Sequence, residues 1–211
     1  MSKGRVLLAI TLAMVLLTGV SGIGLADFDP DRQADSLSYD ELVEKLGPVP
    51  TDELPTDIRI GACLKNLANQ FWQQLAEGYK NVAAEYGVRV DIQAARTETE
   101  LQEQLSILET MLLNNYAAYL LSPLSNDNLN RVVYELKADR IPVINVNCEY
   151  IADADVFVGT RQCDIGIMGA EFIGERLNGV GKVAIIEGIP GSYTSIQRTT
   201  GFVTTIKDKY P

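Results

Sequence analysis

Four side chains between residues 65 and 72 have the chemistry needed to bind a small polar molecule. Phe71 and Trp72 offer flat apolar surface, and Asn69 offers both a hydrogen-bond donor and an acceptor. Lys65, at the end of a predicted strand, can donate to a hydroxyl group or a carboxylate. Asn69 also stands at the start of a predicted helix, where backbone N–H groups are free. This combination indicates noncovalent recognition by aromatic contact and hydrogen bonding.

Three of these residues also have a purely structural interpretation. Phe71 falls on the apolar stripe of the predicted helix, so it is equally compatible with the core and with a pocket. Trp72 lies one residue away from the stripe, which favours the pocket. Asn69 can cap the helix, with or without contacting a ligand. The other members of the predicted buried stripe are Leu75, Tyr79, Val82 and Tyr86.

The composition argues against catalysis. The 211 residues contain no histidine, which excludes Ser-His-Asp and Cys-His mechanisms within this chain. The sequence has no glycine-rich phosphate loop, nucleophile elbow or cluster with metal-ligand spacing, so we expect neither an enzyme nor a cofactor. The net charge is −10 and no basic face is present, which argues against nucleic acid as a partner.

The N-terminal segment predicts export. Lys3 and Arg5 precede an apolar run over 6–17, and small residues follow to Ala26. This is the pattern of a secretory signal peptide over 1–26, and an uncleaved membrane anchor is the alternative. In either case the rest of the chain is expected outside the cytoplasmic membrane, in the periplasm. Residues 27–56 follow as an acidic leader and linker, with a short helix over 38–46.

From residue 57 onward, strands alternate with amphipathic helices. Short apolar strands are predicted over 58–64, 88–93, 117–121 and 141–147. Thr97 and Glu100 form a capping-box pattern at the start of the second of three intervening helices, predicted over 70–86, 97–114 and 126–139. Strands that are apolar throughout predict a parallel sheet covered on both faces. We therefore expect an α/β, doubly wound N-terminal lobe over 57–150, with its ligand site at the carboxyl ends of the strands.

A second unit of the same kind is expected over 151–211. Asp164 is predicted to cap its first helix, with Ile167, Ala170, Phe172 and Ile173 buried. The predicted strands run over 156–159 and 182–187, and the predicted helices over 164–177 and 195–209. Two strands are too few to bury both faces of a sheet. We therefore expect an incomplete C-terminal lobe, in a chain truncated relative to a two-lobed protein.

The chain has three cysteines, Cys63, Cys148 and Cys163. An odd number in an oxidising compartment leaves at least one thiol unpaired. Burial as small apolar side chains is the favoured interpretation. A disulfide between Cys148 and Cys163 is the alternative.

Three segments together resemble one protein family. Residues 69–72 read Asn-Gln-Phe-Trp, residues 141–144 read Ile-Pro-Val-Ile, and residues 198–202 read Arg-Thr-Thr-Gly-Phe. In order and spacing they resemble the family's N-P-F-(F/W) loop, with Gln70 in place of the proline, its I-P-V strand and its R-x-x-G-F helix. Over 57–211 the chain thus resembles the first two thirds of a type I periplasmic binding protein of the ribose-binding kind.

The resemblance implies a function. Such proteins close two lobes over a sugar or sugar-like solute and deliver it to the permease of an ABC transporter. Related proteins present ligands to membrane sensor kinases, so a sensory ligand-binding module is the alternative.

The resemblance adds Asn147, Cys148 and Arg198 to the candidate ligand-binding residues. Ribose-type proteins usually carry an acidic residue followed by an arginine where this chain has Asn147 and Cys148. Asparagine keeps the hydrogen bonding without the charge, and cysteine cannot replace a forked guanidinium. Lys65 stands where a small polar residue is common. This departure leaves open whether the ligand is a simple pentose or hexose or a different small polar molecule.

Overall fold

A computed structural model describes residues 37–47, 55, 57–147 and 149–211. The predicted signal peptide or anchor, most of the acidic leader and linker, and Cys148 lie outside the described residues. The elements in chain order are α1 (Tyr39–Leu46), β1 (Arg59–Leu64), α2 (Gln70–Glu85), β2 (Arg89–Ala94), α3 (Leu101–Met111), β3 (Ala118–Leu121), α4 (Asn130–Ala138), β4 (Val143–Val146), β5 (Val156–Val158), α5 (Gln162–Arg176) and α6 (Tyr193–Lys209). None of the described helices combines the length and the apolar character needed to cross a membrane.

The five strands form one parallel sheet in the order β2-β1-β3-β4-β5. Cys63 of β1 lies beside Gln93 of β2 on one side and Leu121 of β3 on the other. The predicted parallel α/β architecture is therefore confirmed. The predicted division into lobes at residues 150 and 151 stays a prediction.

Helices cover both faces of the sheet. Adjacent residues of a strand point to opposite faces, so Cys63 and Leu64 mark the two sides. On the Cys63 side, α3 and α4 bury Leu108 and Val132 among a larger cluster. On the Leu64 side, α2 buries Trp72 and Ala76. Each large apolar side chain buried in this way contributes about 1.5–3 kcal/mol.

Two helices of the N-terminal lobe begin later than predicted. The capping box at Thr97 and Glu100 is wrong, because α3 begins at Leu101 and Glu100 makes no side-chain capping bond. Thr97 instead accepts a hydrogen bond from the Thr99 N–H at 3.4 Å. The helix predicted from residue 126 begins at Asn130, since the preceding polar side chains bond to nearby groups and hold a loop instead.

The second unit differs from the prediction in both of its strands. The strand over 156–159 exists as β5, but it pairs with β4 and extends the first sheet. The strand predicted over 182–187 is wrong, because these residues pair with none of the described strands. Apolar side chains alone do not make a strand, since the ladder of backbone hydrogen bonds needs a neighbour. Ile186 is consequently 99% exposed.

The two helices of the second unit pack on each other through small residues. A Cβ atom added to Gly166 of α5 would lie 2.0 Å from the backbone oxygen of Arg198 in α6. The buried positions of α5 are therefore Gln162, Gly166, Ala170 and Gly174. Of the predicted set, Ala170 is buried, Ile167 and Ile173 are half-buried, and Phe172 is exposed. The predicted cap at Asp164 is wrong, because α5 begins at Gln162 and Asp164 lies within its first turn, where it pairs with Arg161 (Nε–Oδ2, 3.3 Å).

Candidate ligand-binding site

The sheet reverses its strand order between β1 and β3. The chain goes from β1 outward to β2 and then returns to the other side of β1 to form β3. In open parallel sheets this reversal leaves a crevice beyond the carboxyl ends of the two strands, where ligands bind. Here those ends lead into Lys65 and Ser122, and both residues are buried. The candidate site is therefore the carboxyl edge of this sheet.

Gln104 of α3 holds the two strand ends together. This fully buried amide donates to the backbone oxygens of Leu64 (3.2 Å) and Ser122 (2.9 Å). Its oxygen accepts from the Leu124 N–H at 3.0 Å and from Asn128 at 2.7 Å. Because the amide bonds to backbone on both sides of the crevice, it fixes the distance between the loops that leave β1 and β3.

Glu98 anchors the loop between β1 and α2. One of its oxygens accepts from Asn66 Nδ2 at 2.9 Å and from Trp72 Nε1 at 3.0 Å. Asn66 in turn accepts from the N–H groups of Ala68 and Asn69, both at 2.9 Å. The loop is thus shaped by side chains before any ligand arrives. Sequence reasoning missed both Asn66 and Glu98.

Asn69 is the N-cap of α2, since its side-chain oxygen accepts from the Phe71 N–H at 2.9 Å. The capping interpretation is confirmed. Contact with a ligand stays a prediction for this exposed residue.

The two aromatic residues of the loop have different surroundings. Trp72 is buried, and it shares a helical face with Ala76, Tyr79 and Ala83, which follow at steps of four, three and four residues. The predicted stripe through Phe71 was therefore wrong, although Leu75 and Tyr79 do pack against the core. Phe71 is 49% exposed and meets the Trp72 ring edge to face, with centroids 4.9 Å apart. Phe71, and not Trp72, presents its ring to solvent at this edge.

Lys65 forms a buried ion pair that sequence reasoning missed. Its Nζ donates to an oxygen of Glu149, and the two residues are only 5% and 2% exposed. The other oxygen of Glu149 accepts from Ser192 Oγ at 3.0 Å. Since Ser192 is the N-cap of α6, the pair also connects β1 to the second unit.

Gln162 brings together two of the predicted ligand-binding residues. Its oxygen accepts from Arg198 Nε at 2.8 Å, and its nitrogen lies 3.4 Å from Asn147 Oδ1. The same nitrogen donates to the Thr160 backbone oxygen at 3.0 Å. Asn147 itself has a φ of 54°, a left-handed conformation that asparagine tolerates better than most residues. Gln162 is 1% exposed and was not predicted as a site residue.

The cysteines are only partly described. Cys63 is fully buried in the core, and this burial raises the pKa of its thiol to about 12. Its prediction as a small apolar side chain is confirmed. Cys163 is half-buried beside Gly201. Cys148 lies outside the described residues, so both its ligand contact and its disulfide with Cys163 stay predictions.

A cavity of about 510 Å³ lies between α5, α6 and the extended segment that follows α5, and Ser192 of the Glu149 network is among its lining residues. Its lining is mostly apolar and includes Ile173, Val183, Ile185 and Phe202, with Arg198 also contributing. Among the described ranges, no cluster of histidine, cysteine or acidic side chains could hold a metal ion.

Comparison with known proteins identifies the relatives of this chain. The D-allose-binding periplasmic protein of Escherichia coli K12 is 33% identical over 153 residues, which are 68% of this chain and 49% of that protein. The ribose import binding protein of Bacillus subtilis 168 is 26% identical over 147 residues, 69% of this chain and 48% of that protein. The chain thus spans about half the length of the curated relatives it matches.

A similar solved structure is a carbohydrate transporter solute binding protein from Agrobacterium radiobacter, in complex with D-arabinose. It is 28% identical with a TM-score of 0.67, and the match covers 75% of this chain and 55% of that chain.

An open parallel sheet whose polar side chains gather beyond its carboxyl ends has the architecture of α/β folds that bind ligands at that edge. Residues 60–211 match the family model of the periplasmic binding protein domain. The chain belongs to the periplasmic binding protein family, and the resemblance seen in the sequence is confirmed.

Proposed function

We propose that this protein captures a sugar or sugar-like solute outside the cytoplasmic membrane and delivers it to an ABC transporter. The observation that carries the proposal is the arrangement at the carboxyl edge of the sheet. There the exposed ring of Phe71 shares an edge with Asn147 and Arg198, which Gln162 holds together. The names of the relatives, which bind D-allose or ribose, support the same ligand class.

The residues suit a sugar for chemical reasons. A sugar ring has apolar C–H faces, which an aromatic ring covers, and hydroxyl groups, which amides and guanidinium groups satisfy. In this proposal Phe71 contacts a C–H face, and Asn147 and Arg198 bond to hydroxyl groups. Trp72 supports Phe71 from beneath the surface. No covalent step is involved, and two lobes closing over the solute would supply the remaining contacts.

The kind of protein found among the relatives favours transport over sensing. They are periplasmic or import binding proteins. A fructose binding periplasmic domain of a hybrid two component system is also similar in structure. At 22% identity, this similarity shows a shared fold and does not favour a sensory role. Export by the predicted signal peptide would place the protein in the periplasm, beside its permease.

The proposal is tested by calorimetric titration of the full chain with D-allose, D-ribose and D-arabinose. We expect at least one of them to bind saturably, and the variant Phe71→Ala to bind it about tenfold more weakly, as is typical when an aromatic anchor is truncated. The control Tyr134→Ala removes an aromatic ring that is 72% exposed on α4 and should bind like wild type. Absence of binding to every sugar, or equal losses in both variants, would contradict the proposal.

A further inference from the structure

The buried pair Lys65–Glu149 has a place in the molecule that bears on ligand charge. Lys65 directly follows β1 at the crevice, and Glu149 lies in the loop after β4. Two charges this deeply buried are stable only when they compensate each other, because each one has lost its water. The pair therefore places one ammonium and one carboxylate at the candidate site with no net charge.

Glu149 is held in this position from several directions. Besides Lys65 and Ser192, which bond to its carboxylate, Asn145 Nδ2 donates to its backbone oxygen at 3.1 Å. The next residue, Tyr150, donates its N–H to Asn126 Oδ1 at 3.1 Å. Because the carboxylate is fixed, it cannot turn away when a ligand enters, and Lys65 keeps its counter-charge.

Two other charged side chains at the site, Glu98 and Arg198, leave its net charge at zero. Glu98 is bonded to Asn66 and Trp72, and Arg198 is bonded to Gln162. With Lys65 and Glu149, these four side chains carry two positive and two negative charges. Since Glu98 and Arg198 are bonded to neutral groups, a charged ligand would meet one attracting and one repelling charge besides the neutral pair. It would lose water at this edge with little net electrostatic gain, whereas a neutral polyhydroxylated ligand costs much less to desolvate.

We propose that the Lys65–Glu149 pair sets the charge selectivity of the site, so that it takes neutral ligands. This inference rests on the proposed function. Removing the carboxylate alone leaves the Lys65 ammonium to attract an anion, and removing the ammonium alone leaves Glu149 to attract a cation. Electrostatic attraction at such a site is strong because the interior screens charge poorly. Each single variant therefore acquires the opposite preference.

The test compares three ligand classes by calorimetry on the full chain. The neutral reference is the tightest binder among D-allose, D-ribose and D-arabinose, D-glucuronate is the anion, and D-glucosamine is the cation. Wild type should bind both charged sugars at least about tenfold more weakly than the reference. Glu149→Gln should gain about tenfold for D-glucuronate relative to the reference, and Lys65→Gln should gain similarly for D-glucosamine.

Two controls separate the possible outcomes. Glu85→Gln changes the net charge equally at an exposed position near the other end of α2 and should leave all three affinities unchanged. The double variant Lys65→Gln/Glu149→Gln should keep the neutral preference. The inference is overturned if wild type binds a charged sugar as tightly as the neutral one, a result that does not require any variant to fold. It is also overturned if folded single variants keep the wild-type preference. Failure of wild type to bind any sugar would instead overturn the proposed function.

Discussion

Buried amide side chains position the candidate site. Gln104, Asn145 and Gln162 each donate and accept hydrogen bonds at the carboxyl edge of the sheet. Asn145, for example, accepts from the Ile151 N–H at 2.7 Å while donating to the Glu149 backbone oxygen. An amide satisfies both kinds of backbone group without burying a charge. The loops are consequently held in place before a ligand is present, which lowers the entropy cost of binding.

The variant Gln162→Leu tests this positioning role at a single residue. It keeps roughly the same volume but removes the acceptor that orients Arg198 and the donor that reaches Thr160. We expect sugar affinity to fall about tenfold, because Arg198 loses its orientation and the Thr160 carbonyl loses a hydrogen-bond partner. Gln162→Glu keeps an acceptor for Arg198 and should lose less. Calorimetric titration of the full chain measures both effects.

A double-mutant cycle with Arg198→Ala distinguishes positioning from a general structural role. If Gln162 acts through Arg198, adding Gln162→Leu to Arg198→Ala should weaken binding little further. Independent, additive losses would show that the amide does not act through the guanidinium.

The sequence allowed some of these residues to be predicted and hid others. Lys65, Asn69 and Phe71 were recognisable because their side-chain types cluster in one short loop after an apolar strand. Glu149 was not, because its partner is 84 positions away along the chain. Gln104 left a signal that could have been used, as a lone amide between Leu101, Leu105 and Leu108 on the apolar face of its helix.

At the scale of elements, the close packing of α5 on α6 depends on two glycines. Gly166 faces the backbone of α6, and Gly201 faces the backbone oxygen of Cys163, where an added Cβ would lie at 2.3 Å. Backbone cannot move aside as a flexible side chain can. The two helices therefore form a unit that tolerates no side chain at these two positions.

Gly166→Ala should accordingly destabilise the protein, by about 3 kcal/mol, the upper part of the range for overpacked cores. The measurement is the urea midpoint of the full chain. Gly78→Ala is the matched control, because Gly78 lies in α2 with nothing within 4 Å of an added Cβ. That change should stabilise by about 0.5–1 kcal/mol, as alanine favours helix. Equal effects of the two substitutions would contradict the packing account.

Elements were predictable where the local pattern agreed with long-range pairing. The first four strands were located to within a few residues because each carries apolar residues, which alternate with polar ones in β2, and each finds a neighbour in the sheet. Residues 182–187 have an equally apolar pattern and form no strand, since pairing depends on a partner elsewhere and local sequence does not report it. The membership of β5 in the first sheet was missed for the same reason.

At the scale of the molecule, side chains at the candidate site connect the first sheet to the second unit. Glu149 bonds to Ser192, Tyr150 meets the Tyr193 ring with centroids 5.4 Å apart, and Gln162 joins Asn147 to Arg198. These contacts lie at the same edge of the sheet as Phe71. A ligand bound there would touch both units. This is the arrangement that hinge closure of two lobes around a ligand requires.

The most direct measurement uses Trp72, the single tryptophan of the chain. Its indole contacts Phe71 and bonds to Glu98, so its fluorescence reports on the loop that we expect to bind the ligand. Titrating the full chain with the sugar that binds most tightly should change the emission saturably, with the dissociation constant found by calorimetry. Calorimetric binding without any change in Trp72 emission would place the ligand elsewhere and contradict the account.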